Sequence, residues 1–407
     1  MLRTETIVES KWTPMALSPD EQLHLEQVGR SLARGTDRFG NEDPDSEASL
    51  IRVNRIDGDI ARVRVVDAVG LVAGPSLQLV VRPKIPTGHL LYLFEAAGVV
   101  PRVEGEHGWM STSDDLAQLV CRWFVTSAEA VLQEGLARDY RPRADQLSVV
   151  RGRLDVLATT RLVYQGRAAV VSEFEDYDFD TPLNRMILHA ARLVVGAPTL
   201  PEALRRRALR IAKRMDGVGT LVAADRGAHT DRRTSYYADA LLLARQIVTA
   251  TGRTLEAGPQ RSWTFLIRTP KPVEAGLCAV IRDGLQGQAV VGRGRKTLKG
   301  SSVTVNPDLV FDTGDRRLIG DIKYKLMGPG WNRADLYEVV AFAAAYQVPR
   351  CALISFTVDN GMPLDPLGVG DFVVSDIRWD ARPSTHPASA AQQLVAELQI
   401  WLDGPRT

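Results

Sequence analysis

The sequence predicts an α+β fold in several domains, and three observations carry that expectation. At 407 residues the chain is long enough for two or three domains, each with its own core. Between Ile51 and Pro86 apolar residues alternate with period two, whereas between residues 113 and 250 they recur at helical spacing. Beyond Val303 a hairpin pattern is followed by helix, strand, strand and helix, the order that builds a mixed sheet. We therefore expect a β-rich N-terminal domain over 1–100, a mainly helical middle over 101–255 and an α/β domain over 256–407.

Taken in order, Ser18 and Glu21 form a capping box that opens a helix through Leu23, Val28 and Leu32. Gly35 to Ser46 reads as a loop. The runs IRVNRI, IARVRVVDAVGLVAG and LQLVVRPKIP are strands, and His89 to Ala97 is helical. Arg82 and Lys84 at the end of the last strand are read as solvated, or as contacts for a partner or nucleic acid. Ser113 caps the clearest helix, which runs to Glu134 with Asp114 and Asp115 in its first turn. Arg138, Arg141, Arg143, Arg151 and Arg153 then make a positive stretch around a strand.

Thr181 caps a helix with Pro182 in its first position, and Asn184 and Arg185 are read as structural. A second helix, Glu202 to Met215, carries Arg205, Arg206, Arg207, Arg210, Lys213 and Arg214, more cations than a solvated face requires. Tyr236 to Ala250 is a buried helix. Phe265 to Ile267 is a short strand, and a helix spans about 272–285. The glycines around Arg293, Arg295 and Lys296 fit a β-turn, or a loop that approaches phosphates closely. Arg333 to Tyr346 is a helix, Cys351 to Phe356 and Val373 to Trp379 are strands, and Ala390 to Leu402 is a final helix capped by Ser389.

The chemistry sits in Val305 to Lys325, VNPDLVFDTGDRRLIGDIKYK. Asp312-Thr313-Gly314-Asp315 is turn chemistry between two strands. Asp321 and Lys323 lie two apart, hence on one face of a strand, and a hairpin brings Asp308 beside them. Two carboxylates on one face repel unless a cation intervenes. A hard ion held by Asp308, Asp321 and the backbone carbonyl of Ile322 resolves the conflict, and Mg²⁺ suits so few protein oxygens. Only eight of the fifty basic residues are lysine, so a compact ammonium at 323 stands out in an arginine-rich chain.

Pro307-Asp308 followed by Asp321-Ile322-Lys323 resembles the PD-(D/E)xK motif of metal-dependent restriction-type nucleases. Together with VRPKIP and DTPLNR, it resembles the McrC family, the nuclease subunits of McrBC modification-dependent restriction systems. The resemblance covers most of the chain from about residue 60. It implies a restriction-endonuclease-like C-terminal domain, an N-terminal domain that binds the partner, and cleavage of DNA, usually modified, in phage defence. The implied partner is a McrB-like AAA+ GTPase that this subunit stimulates.

It also implies a third acid from the preceding helix, at Glu274; from the residues themselves, DNA contacts are expected at Arg293, Arg295, Lys296 and Lys325. The family's QxxxY element is altered here, with Glu338 in place of glutamine and Phe342 in place of tyrosine, so Glu338 joins the candidates. Two alternatives stay open: a stand-alone nuclease of another defence or repair pathway, and an inactive scaffold that activates a partner NTPase.

A net charge of +1 gives no general basic excess, so another component is expected to supply much of the grip on DNA. Three scattered cysteines exclude a zinc-ligand spacing, and the lack of GxxxxGK[ST] excludes a P-loop. No apolar run is long enough for a membrane span and the N-terminus lacks a signal-like core, so a cytoplasmic location is expected.

Overall fold

The computed structural model describes residues 3–33, 49–57, 60–74, 76–100, 116–251 and 264–404. The expected 35–46 loop and the Ser113 cap with Asp114 and Asp115 lie outside the described residues. The chain forms two compact units, one made of Met1–Leu119 with Ala250–Thr407, the other of Val120–Thr249. The expected 1–100 and 256–407 segments both fall in the first unit.

The first unit begins with β1 (Arg3–Val8), β2 (Thr13–Ala16), α1 (Pro19–Ala33), β3 (Ile51–Asp57), β4 (Ile60–Val65), β5 (Ala68–Ala73), β6 (Leu77–Arg82) and α2 (Thr87–Ala96). α1 starts in the expected capping box. The Ser18 amide donates to Glu21 Oε2 at 2.9 Å and the Glu21 amide to Ser18 Oγ at 3.2 Å. β4 and β5 are one apolar run in the sequence, yet they part at Asp67, whose φ is 47°. β4 pairs with β2 and β3 in one sheet, and β5 lies beside β6 in another. Ala61, Val63, Leu79 and Val81 from these strands share one core with Leu25 and Val28 of α1.

The second unit holds most of α3 (Leu116–Glu134), then β7 (Asp139–Leu147), β8 (Arg153–Leu154), α4 (Val156–Tyr164), β9 (Val170–Asp178), α5 (Pro182–Val195), α6 (Glu202–Arg214) and nearly all of α7 (Ala238–Ala250). α5 begins as expected, with Thr181 Oγ1 accepting the Asn184 amide at 3.3 Å and Pro182 at the first position. Three arginines of the expected positive stretch are paired with acids. Arg143 pairs with Asp178, Arg151 with Asp176 and Arg141 with Asp180, all from β9 or its end.

The first unit resumes with β10 (Phe265–Arg268), α8 (Pro270–Gly284), β11 (Val290–Gly292), β12 (Lys296–Thr297), β13 (Thr304–Val305), β14 (Leu309–Asp312), β15 (Arg317–Leu326), α9 (Arg333–Tyr346), β16 (Arg350–Thr357), β17 (Leu367–Val369), β18 (Phe372–Asp380) and α10 (Pro387–Asp403). β10 pairs antiparallel with β5, so the strand leading into α8 belongs to the N-terminal sheet. The main sheet runs β11-β14-β15-β16-β18-β17. β15, β16 and β18 are parallel neighbours and the rest antiparallel, which is the mixed sheet expected.

α9 covers one face through Leu336, Val339, Phe342 and Ala343, packed on Ile319, Cys351, Leu353 and Val374. α10 reaches Phe311 with Trp401, ring centroids 5.6 Å apart. The start of α10 corrects the expected Ser389 cap. Pro387 takes the first helical position, the side chain of His386 accepts the Ala388 amide at 3.2 Å, and Ser389 falls inside the helix. Among the described residues no helix is long and apolar enough to cross a membrane.

Candidate active site

β14 and β15 form the predicted hairpin, with Asp312 paired to Arg317 and Leu309 to Gly320. Gly314 supplies the positive φ, 87°, that the turn requires. Carried one residue further, the register sets Asp308 opposite Asp321. Asp308 Oδ2 accepts the Ile322 amide at 3.0 Å. Asp321 and Lys323 share a face as their spacing demands, with Lys323 Nζ 2.8 Å from Asp321 Oδ2. The pairing of β15 with β16 shifts register between Ile322 and Leu326, the stretch that carries Lys323.

Glu274 comes from α8, which a glycine lets approach α2 closely. A Cβ on Gly276 would lie 2.1 Å from the Leu93 carbonyl oxygen of α2. One turn further along α8, Cys278 Sγ lies 3.8 Å from the Asp308 carbonyl oxygen, so the helix delivers Glu274 to the edge of the same cluster, where it feels the charges of Asp321, Lys323 and Arg293. The structure thus brings Asp308, Asp321 and Lys323 together, with Glu274 within electrostatic range.

Burial dominates the electrostatics of this cluster. It pushes the Asp321 carboxyl up, Lys323 pulls it back and Asp308 pushes it up again, leaving it at about 7. Asp308 is raised by burial and then by the charge of Glu274, against the Ile322 amide. Glu274 is raised by burial and by Asp321, against Arg293. Burial would lower the Lys323 ammonium, but Asp321 and Glu338 outweigh it and hold the group above its ordinary value. Three acids resisting ionisation in one place is an arrangement that added positive charge would relieve.

The donor chemistry fits a small hard cation. Asp321 Oδ2 is buried without an aligned hydrogen-bond donor, although Lys323 stands at ion-pair distance. Carboxylate oxygens and a strand carbonyl at Ile322 are the donor types Mg²⁺ takes. As the side chains stand, no group of three or more His, Cys, Asp or Glu among the described residues closes around one point. The Ile322 amide holds Asp308, and Lys323 forms an ion pair with Asp321.

The other expected residues fall around this centre. Arg293 is exposed, and its charge acts on Glu274 and Cys278. Arg295 and Lys296 are exposed, with Lys296 Nζ 5.1 Å from the Tyr346 ring centroid. The glycine at 294 has a packing reason, because a Cβ there would meet Pro307 Cγ at 2.6 Å and Tyr346 Oη at 2.7 Å. Lys325 is engaged by Asp335 at 2.7 Å. Glu338 reaches Lys323 at 2.7 Å, so the altered residue of α9 sits at the site.

Lys84 is a correction to both sequence readings. Its side chain turns inward, 12% exposed, towards Asp67 at 3.8 Å and the Tyr324 ring at 3.9 Å. Burial lowers its ammonium, against the charges of Glu9 and Asp67. Glu9, Thr269 and Tyr324, which meet there, carry no signal in the sequence, because the contacts join residues some 260 and 315 positions apart.

A profile of the McrBC 5-methylcytosine restriction system component family matches residues 63–355. A chain in the refined half-complex from a tetradecameric assembly of Thermococcus gammatolerans McrB AAA+ hexamers with bound McrC superposes with a TM-score of 0.69 at 15% identity, over 98% of this chain and 99% of that one. A chain of the T. gammatolerans McrBC complex matches with a TM-score of 0.47 at 14% identity, over 70% of this chain and 88% of that one. Among curated proteins none matches.

Proposed function

The chain belongs to the family of McrBC 5-methylcytosine restriction system components, and on that premise we propose that it is the DNA-cutting subunit of such a system. It is a Mg²⁺-dependent endodeoxyribonuclease that hydrolyses phosphodiesters of modified DNA in the cytoplasm and stimulates a McrB-like AAA+ GTPase. The placement of Asp308, Asp321 and Lys323 on one hairpin, with Glu274 within electrostatic range of them, carries this reading.

Asp308, Asp321, Glu274 and the Ile322 carbonyl would hold the ion. When bound, Mg²⁺ supplies Lewis-acid chemistry at the phosphoryl group and acidifies water. Lys323 orients the attacking water or neutralises charge developing on the phosphate, held in place by Asp321 and Glu338. Arg293, Arg295 and Lys296 meet the flanking phosphates.

Grip on DNA is unevenly distributed. The second unit carries twenty Arg and Lys against fifteen Asp and Glu, a net +5 in a chain whose total is +1. α6 concentrates that excess. It buries Leu204, Ala208 and Ile211 and leaves Arg210, Lys213 and Arg214 exposed, a row suited to a phosphate backbone.

The partner reading draws on the McrB hexamers named with the structural relative, and assigns docking to the 1–100 segment. The second unit adds exposed apolar side chains, Leu157 at 76% and Tyr164 at 88%, of the kind that mark protein contact.

The test combines this chain, its AAA+ partner, Mg²⁺, GTP and DNA with and without 5-methylcytosine. Cleavage that needs all components, and that Asp321→Asn abolishes, supports the reading. Cutting by the chain alone without nucleotide assigns it to the stand-alone alternative. Stimulation of the partner without any cutting assigns it to the scaffold alternative.

A further inference from the structure

Glu9 is a carboxylate with 2% of its surface exposed, and three donors from three distant segments converge on it. Tyr324 Oη donates to Oε1 at 2.5 Å, the Lys84 amide to the same oxygen at 3.1 Å, and Thr269 Oγ1 to Oε2 at 2.7 Å. Two of those donors border the acid cluster. Thr269 is the N-cap residue of α8, five positions before Glu274, and Tyr324 directly follows Lys323 on β15.

We propose that Glu9 is a positioning residue for the acid cluster, a single buried carboxylate that ties α8, with Glu274, to β15, with Asp321 and Lys323. This rests on the nuclease reading and assigns the site a residue from the start of the chain.

The backbone around Glu9 is built to aim it. Its own amide donates to the Arg82 carbonyl at 2.8 Å. Ser10 and Asp67 both take positive φ, 59° and 47°, a region L residues seldom enter. They hold each other there, Ser10 Oγ donating to Asp67 Oδ1 at 2.8 Å and accepting the Asp67 amide at 3.1 Å. The Asp67 carbonyl in turn accepts the Thr269 amide at 3.0 Å. Such over-determined conformations gather where geometry matters to function.

The choice of a charged group is informative as well. An apolar side chain would fill this space without the cost of desolvating a carboxylate, but it would fix no direction. Three hydrogen bonds set the distance and angle between the start of α8 and the end of the DIK triplet. Lys84 over the face of Tyr324 and Phe356 against its edge, at 5.4 Å between centroids, leave that ring little freedom.

The experiment uses the full chain with Glu9→Gln, Glu9→Ala and Tyr324→Phe. Hydrogen exchange is measured segment by segment, and Mg²⁺ binding by calorimetry with MgCl₂ alone. Glu9→Ala is expected to speed exchange in 317–326 and in the first turn of α8 while 333–346 and 387–403 keep their protection. Its Mg²⁺ affinity falls about tenfold to a hundredfold, the range typical of groups that orient metal ligands. Glu9→Gln recovers part of both effects because it keeps acceptor capacity.

Exchange and Mg²⁺ affinity equal to the parent in a folded Glu9→Ala chain overturn the proposal. If that variant does not fold, Tyr324→Phe decides, since it removes one hydroxyl. Loosening of both elements supports the proposal, and an unchanged profile overturns it. A parent chain that binds no Mg²⁺ refutes the metal reading instead, while the exchange data still decide whether Glu9 ties the two elements.

Discussion

Lys323 donates to Glu338 across 2.7 Å, so the lysine of the DIK triplet is positioned by α9 as well as by its own strand. The Glu338 side chain is 46% exposed, and an exposed pair adds at most about 1 kcal/mol to stability. Glu338→Ala should therefore leave the melting temperature nearly unchanged while cleavage falls by about tenfold. A variant that melts early, or one that cuts at the parental rate, contradicts a positioning role for Glu338.

Asp308→Asn separates charge from shape. The amide oxygen still accepts from Ile322, and one member of a crowded acid cluster loses its charge. Stability is expected to hold or rise, whereas cleavage drops more than about a hundredfold, beyond the loss seen when only outer partners of a metal are removed. Added Mg²⁺ should raise the melting temperature of the parent, because a ligand that binds only the folded state stabilises it, and should not raise that of the variant. Equal thermal shifts in the two chains would remove Asp308 from the proposed ligand set.

The basic face of α6 makes a prediction in salt rather than in rate. Each phosphate contact contributes about 0.9 to the slope of log affinity against log salt. Replacing exposed Arg210, Lys213 and Arg214 by alanine should flatten the slope for duplex binding by about 3 while leaving the fold intact. An unchanged slope, or a loss of partner stimulation with unchanged DNA binding, assigns α6 to a different surface.

Legibility follows where burial writes itself into the chain. The β14–β15 hairpin alternates around a turn with a required glycine, and α5 announces itself with Thr181 and Pro182. Convergence of Asp308, Asp321 and Lys323 then follows from a period of two and a register. β7 and β9 are not legible as a pair, because β7 is almost wholly exposed and has no apolar face to reveal. Arginines on β7 meet aspartates on or near β9 instead, and a charge pattern of that kind reads as a solvated stretch. The Glu9 cluster is hidden for another reason: it exists only after segments far apart in sequence meet, and no local pattern encodes it.

The Asp180–Arg185 pair anchors the second unit. Asp180 accepts from Arg185 Nε at 2.6 Å and Nη2 at 3.0 Å, from the Gly219 amide at 2.8 Å and from Arg141. Hydrogen bonds from Arg185 above all hold its carboxyl well below the usual range. Asp180→Ala leaves Arg185, whose side chain is 11% exposed, to its longer contact with Asp225 at 3.4 Å, so a loss of about 3 kcal/mol is expected, the low end for a broken buried pair. Because the folded pKa is depressed, this contribution is complete above the ordinary aspartate value and disappears only in strong acid. Chemical unfolding of Asp180→Ala at pH 7 measures it, and a change under about 0.5 kcal/mol, typical of surface sites, would refute the anchor.

A pH dependence of the opposite residue type is built around His89. The Trp379 indole has only an N–H to give, and it donates to His89 Nδ1 at 3.0 Å. The proton of a neutral His89 therefore sits on Nε2, which donates to the Thr385 carbonyl at 3.0 Å. Both ring nitrogens are used, and a second proton has no site without breaking the Trp379 bond. Burial lowers the imidazole, outweighing the Thr385 carbonyl, which favours the charged form. The unfolded chain binds a proton near pH 6.5 where the folded chain resists it, so stability rises with pH through this window. The contribution is complete above about pH 6.5 and is lost as pH falls below it, so unfolding free energy slopes upward with pH here. Unfolding free energies between pH 5 and 8 should show that slope in the parent and lose it in His89→Gln. A parental slope retained in the variant would place the titrating group elsewhere.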